Sequence, residues 1–106
     1  MSKYEIKDYS YDQAKKLKVV IVPSTKPKYK IDILLRNGDL LTSIGAKNYS
    51  DYPTYIETRG QKYADERRRL YHIRHKKDIS KIGSRGWWAS QILWIAIYFI
   101  MVVKLI

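Results

Sequence analysis

Arg67-Arg68-Arg69 and, one helical turn later, Arg74-His75-Lys76-Lys77 are the residues of this chain best suited to chemistry, and that chemistry is anion binding. With Tyr63 and Tyr71 interleaved, the run is compatible with phosphate-backbone contact. Contact with lipid headgroups or a protein partner is the favoured reading over nucleic acid, with a merely solvated face as the remaining one. On a helix, three consecutive arginines fan over about 200° of arc, so they cannot all meet one ligand. Some are expected to pair with Asp65, Glu66 or Asp78. His72 and His75 are three residues apart and could reach one metal ion, but the chain offers no third ligand at a suitable spacing and the surroundings are cationic. Neither a Ser/His/Asp constellation nor a nucleotide-binding glycine loop can be assembled. The expectation is a protein that is not an enzyme and takes no cofactor and no metal.

The elements that must position these residues are short. Ser10-Tyr-Asp-Gln13 fits a capping box, predicting a helix that ends near Leu17. The β-branched run from Lys18 to Val22 predicts a strand stopped by Pro23. Residues 30–36 and 39–44 flank Asn37-Gly38, which predicts a hairpin with a two-residue turn in which both turn residues have positive φ. Together these give a three-stranded antiparallel sheet covered by a helix, about the minimum for an independently stable sheet. Pro53 marks the first turn of a further short helix, Gly60 interrupts it, and residues 61–78 read as one long basic helix. Residues 79–86 form a glycine-punctuated connector, with Ser84 or Gly86 able to cap the terminal helix. The fold class is therefore α+β, in three segments: a small domain over residues 1–60, the basic helix and connector over 61–86, and a hydrophobic helix over 87–106.

That last segment carries one charge, Lys104. As a helix, twenty residues span roughly 30 Å, the thickness of a bilayer's hydrocarbon core. Trp87, Trp88 and Trp94 would be interfacial rings, and Ile95, Ile97, Phe99, Ile100, Val102 and Val103 the lipid-facing surface. Ser90 and Gln91 shorten the strictly apolar part to residues 92–103. A helix inserted into a protein assembly, or one dipping into a single leaflet, competes with a full crossing. The N-terminus has no apolar run to engage the secretory machinery, so insertion is expected from the C-terminal end.

Of the formal net charge of +11, most sits just before this segment: residues 59–86 hold ten Lys/Arg against three Asp/Glu. Basic flanks stay on the cytoplasmic side and attract anionic lipid, which orients the N-terminal domain there. The chain has no cysteine, so no disulfide or thiolate metal site supports the fold. At 106 residues burial is limited, and no large catalytic cavity is expected. Ten tyrosines serve either to fill a small core or to make contact surface in an assembly.

Residues 63–78, with their Arg-rich run and the x-Arg-His-x-Lys-Asp ending, and residues 83–94, with Gly-Ser-Arg-Gly, Trp-Trp-Ala and Leu-Trp, resemble a group of small basic proteins of large icosahedral double-stranded DNA viruses of the algal-virus and giant-virus type. The likeness continues through Lys15-Lys-Leu, Pro23-Ser-Thr, Ser43-Ile-Gly-Ala and Asp51-Tyr-Pro-Thr-Tyr55, covering most of residues 9–94. In that group the chain often stops soon after Leu-Trp, whereas here the apolar residues 95–106 extend it. Such viruses enclose a lipid membrane beneath the shell. The resemblance implies a minor capsid protein sited between shell and inner membrane, with other capsid proteins and lipid as partners and nucleic acid as an alternative. Trp87, Trp88 and Trp94 would then be anchors, and Arg67, Arg68, Arg69, Arg74, Lys76 and Lys77 the anion or partner contacts.

Overall fold

A computed structural model describes residues 4–95. The fold is mixed α+β, with helices α1 (Asp8–Lys16), α2 (Tyr52–Arg59), α3 (Gln61–Arg74), α4 (Lys76–Ser80) and α5 (Arg85–Leu93), and strands β1 (Val20–Pro23), β2 (Tyr29–Leu34) and β3 (Leu40–Ala46). The strands form one antiparallel sheet in the order β1-β2-β3. Ile21 pairs with Ile33 and Ile31 with Ile44, which aligns four β-branched side chains on one face. All four are almost completely buried, joined by Ala14 from α1, Tyr52 and Ala64 from the middle of the chain, and Ile92, Leu93 and Trp94 from its end. Residues of all three expected segments thus share one core.

Three local expectations are corrected. Helix α1 begins at Asp8, not after Ser10: Ser10 is buried within it and its hydroxyl donates to the Ile92 carbonyl at 2.9 Å, so the side chain serves a tertiary contact instead of a cap. The Asn37-Gly38 hairpin forms, but its turn has three residues. The Leu35 N–H donates to the Asp39 carbonyl, the Gly38 N–H donates to the Leu35 carbonyl, and only Gly38 has positive φ, at 96°. This is the turn-plus-bulge solution, stabilised by Asn37 Oδ1 accepting the Asp39 N–H at 3.0 Å. The long basic helix breaks at His75, and α4 then packs on the start of α5.

The largest correction concerns the hydrophobic C-terminal helix. Helix α5 is nine residues long and ends at Leu93, and among the described residues no helix is long and apolar enough to cross a membrane. Ser84 caps it by accepting the Trp87 N–H at 3.2 Å, in line with the capping expectation. Just beyond it, His72 Nε2 donates to the Trp94 carbonyl at 3.0 Å and the Tyr9 hydroxyl donates to the Ile95 carbonyl, which ties this stretch to α3 and α1. Residues 96–106, including Ile97, Phe99, Ile100, Val102 and Val103, lie outside the described residues.

Contact between α4 and α5 depends on Gly86. A Cβ at this position would lie 2.5 Å from Asp78 Cβ and 3.1 Å from its carbonyl carbon and oxygen, so backbone would have to move. In an unconstrained helix Gly→Ala gains roughly 1 kcal/mol. Here Gly86→Ala is expected to destabilise by about 1–3 kcal/mol through overpacking, read as a lower urea midpoint at unchanged slope.

Candidate anion-binding cleft

Asp51 is the pivot that sets the end of the sheet against the helices. It is completely buried, accepts the Thr54 N–H at 3.0 Å as the N-cap of α2, accepts the Tyr4 hydroxyl at 2.7 Å, and pairs with Lys30 Nζ at 2.8 Å. Burial and the Asp51 carboxylate hold the Tyr4 hydroxyl well above the usual phenol range, so it remains a donor. Above this pivot opens a cleft of about 1010 Å³. Its floor is the end of β2 and β3 with the loop to α2, one wall is α3 and α4, and the other is α5. Limited burial did not preclude a space of this size, because it is an open groove between a helix pair and a sheet, not an enclosed cavity.

Six cations line the cleft, Lys30, Arg67, Arg74, Lys77, Lys81 and Arg85, against the carboxylates Asp51 and Asp78. Asp51 is already matched by Lys30. Among the described residues, none of Arg67, Arg74, Lys77, Lys81 and Arg85 is in an ion pair. Arg67 and Arg74 are seven residues apart on α3, two turns along one face, and Leu70 lies between them on the same cleft wall. The arginine triplet divides as helix geometry requires. Arg67 faces the cleft, and Arg69 turns outward to Glu66 at 2.6 Å. Arg68 is half-buried and does not line the cleft; its charge acts on Tyr9, Tyr52 and His72. Lys76 is exposed and outside the cleft.

An aromatic stack stiffens the α3 wall. Tyr71 lies flat on Trp94, with ring centroids 4.2 Å apart and planes 5° apart, and His75 covers its other face at 4.4 Å. Tyr55 bridges Trp94 at 6.3 Å and Tyr63 at 5.4 Å, with Arg67 over Tyr55 and Arg59 over Tyr63. Several of the tyrosines therefore do fill the small core, while Tyr49 stands exposed at the cleft. Behind the wall, the Tyr52 hydroxyl donates to Asp65 at 2.6 Å and accepts from Gln61 at 2.7 Å. Burial, then Asp65, pushes its pKa up to about 12. Asp65 is thereby used for tyrosine anchoring and not for an arginine.

Of the expected anchors, Trp94 is 9% exposed and in the core, Trp88 packs partly buried against it, Trp87 meets Trp88 edge-on at 4.9 Å, and Ile95 is half-buried. Sequence reasoning missed Lys30, Lys81 and Arg85 as cleft residues. Lys81 lies four positions after Lys77, a spacing that could have found it; Lys30 comes from a strand remote in sequence, and no local pattern points to it.

The two histidines serve separate contacts and do not form one site. His72 Nε2 must carry its proton, because the Trp94 carbonyl can only accept. Burial lowers the pKa of His72, the bond to Trp94 raises it less, and nearby Arg68 lowers it further. The unfolded chain therefore takes up this proton more readily than the folded one. The stability contribution is complete above the unfolded pKa of about 6.5 and is lost as pH falls below it. A urea-midpoint profile should decline from pH 7 to pH 5, and His72→Gln should flatten that part of the curve.

No protein-family model, characterised protein or solved structure matches the chain.

Proposed function

We propose that this protein is a structural virion protein, a minor capsid adaptor that works without catalysis between the icosahedral shell and the inner membrane. In this reading the folded unit faces the capsid and engages neighbouring capsid proteins through its cationic cleft. The apolar residues beyond Ile95 supply the lipid contact. The observation that carries the reading is a set of five cations gathered on one groove, none in an ion pair among the described residues. Arg74, Lys77, Lys81 and Arg85 are exposed and Arg67 is half-buried, so like charges gathered along one groove repel one another and favour an anionic partner in an assembly. Tethering then raises the effective concentration of individually modest contacts. The resemblance to virus proteins and the apolar composition of residues 96–106 support the setting.

Flotation with phosphatidylserine vesicles tests the lipid half. The full chain is expected to float with vesicles even in high salt, and Phe99→Asp/Val102→Asp to abolish this while leaving the thermal transition in place. A full chain that stays in the dense fraction sinks the membrane role. The competing reading is a basic protein that tethers or packages viral DNA. It would be favoured if duplex DNA binds with a steep salt slope that survives the Phe99→Asp/Val102→Asp change.

A further inference from the structure

We infer that the cleft is a docking groove for an acidic, amphipathic segment of a partner protein, laid along α3. This rests on the adaptor reading and specifies the chemistry of its capsid-side partner. Charge complementarity gives the first half of the argument: among the described residues Arg67, Arg74, Lys77, Lys81 and Arg85 make no ion pair, and Asp78, beside His75, is the one exposed carboxylate in the groove with them. These cations are spread along the groove, since Arg67 and Arg74 alone are about 10 Å apart in helical rise. A single compact anion cannot satisfy them together. The second half comes from what lies between the charges. Leu70 and Ile73 are 40% and 62% exposed on the cleft wall, and Ala89 and Leu93 line the space opposite them. A ligand that meets the arginines must also cover aliphatic surface.

That combination separates the candidate anions. A nucleic acid strand would offer phosphates to the arginines and bases to the apolar wall, and bases seek open aromatic faces. Both faces of Tyr71 are already covered, by Trp94 and by His75, while Arg67 lies over Tyr55 and Arg85 over Tyr29; the exposed Tyr49 offers one stacking position, where a strand needs successive ones. A bilayer surface could meet the exposed Arg74, Lys77, Lys81 and Arg85, but a flat surface does not follow the groove to the half-buried Arg67. A peptide with carboxylates flanking Leu-type side chains at helical spacing matches the order Arg67, Leu70, Arg74 along the wall.

The test uses the full chain and a fluorescein-labelled peptide with Glu and Leu at spacings of three and four, monitored by fluorescence anisotropy. Replacing every Glu by Gln in the peptide should weaken binding by about ten-fold or more. Arg74→Glu should weaken it by a similar factor and Leu70→Gln by several-fold, while Arg36→Glu, on the hairpin away from the cleft, should leave it within about two-fold. Equal binding of the Gln peptide, or an equal loss with Arg36→Glu, overturns the proposal. So does displacement by oligodeoxythymidylate or phosphatidylserine vesicles with Leu70→Gln without effect, which would assign the groove to nucleic acid or lipid. Vesicle flotation by the full chain is scored separately, so failure of the groove and failure of the membrane role are distinguishable.

Discussion

Asp51→Ala is expected to lower stability by about 3–5 kcal/mol, the effect of leaving a buried charge without its partner. The substitution removes three interactions together: the ion pair to Lys30, the bond from the Tyr4 hydroxyl, and the N-cap of α2. Capping alone is worth about 1 kcal/mol, so the larger part comes from Lys30, which is 4% exposed and has no second carboxylate within ion-pair distance among the described residues. Two further variants isolate that part. Asp51→Asn keeps a good capping side chain but still strands the ammonium, so it should recover only about 1 kcal/mol of the loss. Lys30→Met/Asp51→Asn removes both charges and should be more stable than Asp51→Asn alone, because a buried pair replaced by neutral groups of similar size is often tolerated. In urea titrations at pH 7, additivity of the Lys30→Met and Asp51→Asn effects would show that the pair is not coupled and would defeat this account.

The Lys30–Asp51 pair also shows where sequence reading stops. Helix and strand signals near in sequence were legible: the Asn-Gly hairpin, the helix opening near Pro53, the interruption at Gly60, and the angular division of the arginine triplet all depend on residues within a turn or two. Contacts across 21 positions, as from Lys30 to Asp51, or 82, as from Ser10 to Ile92, leave no local pattern. Ser10 fits a capping box as well as its true role does, because a hydroxyl that can cap can equally donate to a distant carbonyl. Basic character was legible for the cleft, but not its shape, which arises when α4 turns back onto α5 and brings Lys81 and Arg85 opposite Arg67 and Arg74. The apolar stretch from Trp87 onward was ambiguous for a physical reason. A core helix of a small domain and a lipid-facing helix draw on the same side chains, and what separates them is how far the helix continues. Helix α5 ends at Leu93, and the bonds that then hold the Trp94 and Ile95 carbonyls come from His72 and Tyr9, 22 and 86 positions away.

Trp94→Ala separates the two roles of that stretch with a large effect. If Trp94 were an interfacial ring, its loss would weaken vesicle flotation and leave the thermal transition nearly unchanged, since the side chain would contribute little to the folded unit. As a core residue it fills the space between Tyr71 and Tyr55 and joins Leu93 and Ile92 in closing the sheet's apolar face. Truncating a buried tryptophan to alanine costs about 3–5 kcal/mol, and for a domain of this size each kcal/mol lowers Tm by roughly 4–8 °C. A fall of more than about 12 °C by calorimetry or near-ultraviolet circular dichroism is therefore expected. Trp94→Phe keeps a ring against Tyr71 and should recover more than half of it. Cutting the chain after Gly86 should be more severe still, because it removes Ser90, Ile92 and Leu93 and leaves the Ser10 hydroxyl without its acceptor. Loss of solubility in such a truncation would report unfolding and would say nothing of lipid. Substitutions placed beyond Ile95 are the ones that probe the membrane, and Trp94→Ala is the control that tells folding from anchoring: a Trp94→Ala chain with unchanged Tm and lost flotation would return this residue to the membrane and refute its place in the core.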